Sequence, residues 1–144
     1  MAKVGRAARN ASLMRVESVS SDKTIGASET GEVYFVDASG GSVTLTLPPV
    51  KAGAYVKVIL SADNGGGTTC TIQASPNTVN IRGTLITLSA DMENGSGDTG
   101  ADGDDKVTFP ASTAKGSWCE LVSDGTSWFA CGQFSGGVGA FAAS

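Results

Sequence analysis

The sequence predicts an all-β protein: a single β-sandwich or jelly-roll-like barrel with an extended N-terminal arm. Three observations lead to this fold class. Val, Ile, Thr and Ser recur in short alternating runs, Gly is frequent at 20 of 144 residues, and turn signals interrupt the runs. Eight to ten short strands at a spacing of about 8–12 residues are typical of sandwiches and barrels. The chain is long enough for one domain with its own core.

Residues 1–16 are predicted to form a basic arm. The segment holds four cations and no acid, although the whole chain has a net charge of −4. It has no strand alternation, and a helix of about twelve residues is marginal in water. We expect the arm to be unfolded alone and to become ordered on a partner. Its candidate binding residues are Lys3, Arg6, Arg9 and Arg15.

The body is predicted to span residues 17–134, and its first strands alternate with a period of two. The segments 32–37, 42–48, 54–60, 68–73 and 85–89 are the predicted strands of this part. Because successive strand side chains point to opposite faces, one apolar set lies on the inner side. That set includes Val43, Leu45, Leu47, Val56, Val58, Leu60, Cys70 and Ile72.

Residues 91–105 and 135–144 carry little that could be buried. The first segment, DMENGSGDTGADGDD, predicts a long solvated acidic loop;. Its carboxylates could also bind calcium, but they lack the spacing of an EF-hand and its closing Glu. We therefore predict no metal site. The second segment, rich in Gly and Ala, predicts a flexible tail.

A hairpin is predicted where Asp124-Gly125 separates two strands, since this dipeptide favours a two-residue type I′ turn;. That turn would set Leu121 opposite Trp128 and Cys119 opposite Ala130. Cys119 and Cys131 would then lie on opposite faces and could not bond. A one-residue change of register would bring them together. The odd number of cysteines favours buried, reduced thiols;.

Catalytic chemistry has little support in the sequence. There is no His, no C-x-x-C spacing and no phosphate-binding loop, and Glu120 stands alone on its strand;. We therefore predict that the protein is not an enzyme and that it has neither a catalytic residue nor a cofactor. The aromatic group of Trp118, Trp128, Phe129 and Phe134 could stack on sugars, although packing in the core or between subunits is more usual.

Two partner classes are disfavoured by composition. No apolar run reaches the 18 residues that a membrane-spanning helix needs;. Nucleic acid would be attracted by the arm but repelled by the acidic body, and the arm has no aromatic residue for stacking;. The basic arm therefore predicts an acidic protein surface as partner.

Two stretches of the chain resemble small virion structural proteins of tailed bacteriophages, especially marine ones. The stretch KTIGASETGEVYFVDASGGSVTLTLPPVKAGAYVKVILSADNGGGTTCTI is similar to their strand pairs, and DGTSWFACGQF is similar to their last strand. The opening MAKVGRAARNASLMRVESVSSDKTI resembles the start of such proteins. The resemblance covers residues 1–75 and 117–134, and its motifs are shared by fibre, decoration and adhesin domains. The resemblance implies no catalytic residue.

Within that group the short chain favours a capsid decoration (cement) protein over a fibre, which needs a repetitive shaft. The resemblance implies a homotrimer on the outer capsid surface, made in the host cytoplasm, with its arm on the major capsid protein. The alternative is a fibre-associated or host-attachment domain that binds glycans. A nucleic-acid-associated internal virion protein is a third, weaker reading.

Overall fold

The computed structural model describes residues 13–88, 96–100, 103–135 and 140–142, and these residues form an almost purely β structure. One short 3-10 helix, Ala27–Glu29, interrupts the strands of the described part. The strands are β1 (Val16–Val19), β2 (Lys23–Thr24), β3 (Glu32–Val36), β4 (Val43–Thr46), β5 (Tyr55–Leu60), β6 (Cys70–Gln73), β7 (Ile81–Leu88), β8 (Ser96–Gly100), β9 (Lys106–Phe109), β10 (Trp118–Ser123), β11 (Trp128–Ser135) and β12 (Ala140–Ala142).

Two mixed sheets contain these strands. The seven-stranded sheet has the order β1-β3-β5-β10-β11-β7-β8, and the five-stranded sheet has the order β12-β9-β6-β4-β2. From β1 to β6 the chain alternates between the sheets, and each new strand lies parallel to the previous strand of its own sheet. The first half of the body therefore winds like a coil of three turns.

The second half of the body completes both sheets, mostly through antiparallel strand pairs. Strand β10 lies between β5 and β11 and is antiparallel to both, while β9 is antiparallel to β6. Strand β7 is parallel to β11. The all-β prediction is confirmed. Five of the ten described strand pairings are parallel, which departs from the jelly-roll expectation because jelly rolls are antiparallel.

The core draws buried side chains from both sheets into one cluster. Strands β4, β5 and β6 alternate as predicted, with the apolar residues of each pattern buried and their neighbours half-buried. Phe109 of β9 meets Phe134 of β11 edge to face, with ring centroids 4.9 Å apart. Such aromatic pairs add about 0.5–1.5 kcal/mol beyond their buried area. This contact joins the two sheets directly.

The predicted loop 91–105 and tail 135–144 are wrong in part. Residues 96–100 form β8, which pairs with β7, and residues 140–142 form β12, which pairs with β9. Asp105 is fully buried, and its carbonyl accepts a hydrogen bond from the backbone of Ala74. Backbone pairing needs no particular side chain, so a Gly-rich segment can extend a sheet without showing an alternating pattern. The remaining residues of both segments lie outside the described part.

The predicted hairpin register is also wrong. Strands β10 and β11 pair Leu121 with Ala130 and Cys119 with Gly132, and four residues, 124–127, separate them. The Asp124 carboxylate accepts hydrogen bonds from the backbone of Thr126 and Ser127, at 2.7 and 2.8 Å. This side-chain turn is an alternative to the two-residue turn that the dipeptide favours.

The predicted faces of the two cysteines survive this correction. Each residue has moved two places along its partner strand, and a shift of two restores the same face because the side-chain period is two. Cys119 is buried, whereas Cys131 is exposed, and both are free thiols. The expectation that these two cysteines do not pair is therefore confirmed. The general expectation of buried thiols holds for Cys70 and Cys119 but not for Cys131.

Candidate interaction surfaces

The end of the predicted arm is attached to the body. The carbonyl of Arg15 accepts a hydrogen bond from the backbone of Val33 at 2.9 Å, and Val16 begins the edge strand β1. The side chain of Arg15 is 70% exposed, and its Nη1 lies 3.1 Å from Oε1 of Glu32. The other predicted binding residues, Lys3, Arg6 and Arg9, lie outside the described residues. Residues 13–15, which connect the arm to the body, therefore join the body at one edge of the seven-stranded sheet.

Exposed apolar side chains flank Arg15 in the sequence at this edge. Leu13, Met14 and Val16 are 69%, 61% and 62% exposed. Sequence reasoning treated the segment as a carrier of charge and missed its apolar character. Three exposed apolar side chains beside an exposed cation form an amphipathic strip, which can bury apolar area on a partner while the cation finds an acid.

A network of charged side chains connects β1 at the same edge to β2 and to the 3-10 helix. The Nζ atom of Lys23 lies 2.8 Å from a carboxylate oxygen of Glu29 and 3.1 Å from one of Glu17. The hydrogen bond to Glu29 is the main cause that raises the pKa of Lys23, and the same bond lowers the pKa of Glu29. Glu17, Glu29 and Glu32 bring carboxylate oxygens within 4.8 Å of one another. Lys23 and Arg15 already occupy these oxygens, so the cluster holds the start of the body together.

The aromatic group noted in the sequence divides between core and surface. Trp128 and Phe134 are fully buried, whereas Phe129 is 47% exposed and Trp118 is half-buried. Packing in the core is thus confirmed for Trp128 and Phe134, which cannot stack on a sugar. The other two belong to the outer side of the seven-stranded sheet.

That outer side, called here the apolar face, is formed by residues that alternate with the core residues on six strands; among them, Val33 of β3 is itself buried. Strand register arranges them in three rows across the sheet. The first row is Ser18, Phe35, Ile59, Trp118, Gln133 and Ile86; the second is Val16, Val33, Lys57, Glu120, Cys131 and Thr84; the third is Tyr55, Val122, Phe129 and Arg82.

Charge on the two central strands of the apolar face is compensated within the face. The Nζ atom of Lys57 lies 3.6 Å from Oε2 of Glu120 and 4.9 Å from the centre of the Trp118 ring. Burial, together with hydrogen bonding to Glu120, raises the pKa of Tyr55 to about 12. Tyr55 therefore stays neutral at physiological pH. The middle of the face presents aromatic and aliphatic groups around one neutral ion pair.

The outer side of the five-stranded sheet, called here the threonine face, is polar. Register places Thr44 beside Thr71 and Thr71 beside Thr108. The hydroxyl oxygens of Thr71 and Thr108 are 3.4 Å apart. A second row places Thr24 beside Thr46, followed by Gln73 and Lys106. All of these described side chains are partly or fully exposed.

The surface also has shallow hollows. One of about 170 Å³ lies near Lys51, one of about 270 Å³ near Lys115 and one of about 240 Å³ near Asp37. Each is lined by a single charged residue. A pair of groups for general acid and base catalysis is therefore not brought together in any of these three.

Sequence comparison with known proteins finds no relative. No protein-family model matches the chain, and no curated protein matches its sequence. Among the described residues, no helix has the length and apolar character needed to cross a membrane. The surfaces themselves are therefore the basis for a functional proposal.

Proposed function

We propose that this chain is a non-enzymatic virion structural protein, a capsid decoration protein of a tailed bacteriophage. A β-sandwich body would sit on the outer capsid surface after assembly in the host cytoplasm. The arm, with Lys3, Arg6, Arg9 and Arg15, would bind the major capsid protein. The proposal includes self-association, for which a homotrimer is the expectation.

The observation that carries the proposal is the exposed strip at the edge of the seven-stranded sheet. Leu13, Met14 and Val16 are more than 60% exposed beside Arg15, and the basic segment 1–12 precedes them directly. An apolar strip with a cation suits a partner groove that offers apolar contacts and carboxylates. The hydrogen bond from Val33 to Arg15 would fix where the segment leaves the body.

Stabilisation of a shell would follow from mass action. A protein that binds the assembled lattice, but not its free subunits, stabilises the lattice by RT ln(1 + L/Kd), where L is the free concentration of the protein and Kd its dissociation constant. An arm that orders on binding loses part of its interaction energy to entropy. Several arms that bind together recover affinity, because each further contact is intramolecular.

The test compares binding to purified phage shells that lack this protein. Full-length chain, a variant without residues 1–12 and a variant with Arg15→Ala are mixed with the shells and sedimented. We expect the truncated chain to stay in the supernatant. Arg15→Ala should bind slightly more weakly, because an exposed ion pair between Arg15 and a carboxylate of the shell would contribute about 0.2–1 kcal/mol. Equal binding of all three chains would contradict the proposal.

The second candidate is a host-attachment or fibre-associated domain that binds glycans. The exposed ring of Phe129 and the half-buried ring of Trp118 on the apolar face favour it, since aromatic rings can stack on sugars;. A glycan array probed with the full chain and with Phe129→Ala separates the two functions. Binding that disappears with Phe129→Ala and persists without residues 1–12 would replace the decoration proposal.

A further inference from the structure

We propose that the apolar face is the surface through which this chain binds a second copy of itself. The inference rests on the self-association included in the proposed function and is independent of the capsid. Its failure would therefore leave the binding of the arm to a shell untouched.

Exposure on the apolar face is the first argument. Ile86, Val122 and Phe129 are 52%, 43% and 47% exposed. They belong to one face, because register connects the strands on which they lie. Val122 and Phe129 are direct cross-strand neighbours, and Phe35, Ile59 and Trp118 form a half-buried apolar run across β3, β5 and β10. Isolated apolar residues on a surface are ordinary, but apolar side chains grouped on one face mark an interaction site. Of the six large apolar side chains that are exposed among the described residues, four belong to this face, and the other two, Leu13 and Met14, precede β1 in the sequence.

The size of the face is the second argument. Six strands at a spacing of about 4.8 Å span about 24 Å, and six residues at about 3.3 Å each span about 20 Å, which gives a footprint of about 480 Å². A standard interface buries about 800 Å² on each partner, and weak ones bury less. The face can thus supply more than half of a standard interface. We expect association that depends on concentration rather than a permanent oligomer.

Charge is the third argument, and it identifies the occupant. The chain has a net charge of −4, so two copies repel each other when most of their surfaces meet. The charged residues of the apolar face are Lys57, Glu120 and Arg82; Lys57 and Glu120 compensate each other, and Arg82 lies in the third row beside Phe129. A copy can therefore approach this face without meeting uncompensated negative charge. A strongly acidic or strongly basic partner would gain little from a face on which Arg82 is the one described charged residue outside the Lys57–Glu120 pair;.

The test measures molar mass by sedimentation velocity at concentrations between about 1 µM and about 1 mM, which span the Kd values of weak association. The disrupting variant carries Val122→Lys and Phe129→Lys, two cross-strand neighbours in the middle of the third row. The control variant carries Thr44→Lys on the threonine face. We expect the mass of wild type and control to rise with concentration, and the double variant to need at least about tenfold more protein. Circular dichroism verifies the fold of each.

Cys131 provides a second measurement that needs no substitution. It lies in the second row of the face, and it is exposed, whereas Cys70 and Cys119 are fully buried. A maleimide should therefore modify Cys131 alone. We expect its rate to fall at least about tenfold when the protein is concentrated from the monomeric to the associated range, because a covered thiol is protected.

Two results would overturn the inference. One is a monomer at every concentration, with a Cys131 modification rate that does not change. The other is a Cys131 rate that ignores protein concentration but falls when shells are added, which would assign the face to the capsid. Loss of shell binding in the truncated chain, with self-association retained, would confirm the two proposals separately.

Discussion

The two sheets of this protein share one core but present opposite outer faces. Both obey the same alternation, and both supply buried aliphatic and aromatic residues to a single cluster. The five-stranded sheet places threonines on its outer side, whereas the seven-stranded sheet places Phe129, Val122 and Ile86 there. An antiparallel or mixed sheet with one face in water is expected to alternate apolar and polar residues. Only the threonine face follows that expectation.

The difference shows that alternation reports the inner side of a strand better than the outer side. On β10 the buried residues Cys119 and Leu121 alternate with Trp118, Glu120 and Val122. β-branched and aromatic residues favour strands wherever they stand, so strand propensity does not explain why one outer face has Thr and the other Val and Phe. The self-association proposed above would explain it, because apolar area gains stability only when it leaves water.

The largest expected effect contrasts two phenylalanines of β11. Phe134 is fully buried against Phe109, whereas Phe129 is 47% exposed on the apolar face. We expect Phe134→Ala to lower the free energy of unfolding of the monomer by about 3–5 kcal/mol, through lost burial and a cavity. Phe129→Ala should change it by less than about 1 kcal/mol. Urea unfolding of dilute protein measures both values.

A second readout sharpens that contrast. Phe129→Ala should weaken self-association although it hardly changes the stability of the monomer. If instead both variants destabilised the monomer equally, Phe129 would be part of the core and the distinction between the inner side and the apolar face would be wrong.

A smaller effect is expected when the threonine face is made apolar. Replacing Thr44, Thr71 and Thr108 by Val converts one row across three strands, while each new side chain remains β-branched and suited to a strand;. We expect the free energy of unfolding to change by less than about 1 kcal/mol in the monomer. Self-association should increase, because the row adds exposed apolar area. If sedimentation velocity instead found the triple variant monomeric at every concentration, an apolar outer face would not be enough to cause association.

Sequence reasoning found the elements whose side chains carry the signal. The alternation of Val43, Leu45 and Leu47 and that of Val56, Val58 and Leu60 predicted the strands and their buried faces. These residues are buried because their period matches the pleat. The same reasoning placed Cys70 and Ile72 on one face of β6, as the structure has them.

Sequence reasoning missed the elements that are held by backbone hydrogen bonds alone. Strand β8 has the sequence Ser-Gly-Asp-Thr-Gly, and its ladder with β7 depends on main-chain groups that every residue carries;. It also missed the strand order, because β3 pairs in parallel with β1 and so brings together residues about 17 positions apart. The apolar face could not be predicted for that reason. Its rows combine residues from Val16 to Gln133, and no local pattern connects them.

The smallest effect concerns the hairpin loop that sets the register of the apolar face. The backbone hydrogen bonds from Ser127 and Thr126 lower the pKa of Asp124 below its ordinary value. A depressed carboxyl pKa contributes stability that is present above the unfolded value, about 3.9, and is lost as the pH falls through the folded value. Asp124→Asn keeps an acceptor but removes the charge, whereas Asp124→Ala removes both.

At neutral pH we therefore expect wild type to be more stable than Asp124→Asn, and Asp124→Asn to be more stable than Asp124→Ala. The difference between wild type and Asp124→Asn should shrink when the pH is lowered below about 3.9, because protonation removes the charge that distinguishes them. Thermal unfolding at both pH values measures it. A difference that stays constant with pH would show that the Asp124 carboxylate does not hold the loop, and that the register of Val122 against Phe129 depends on the packing of the sheet alone.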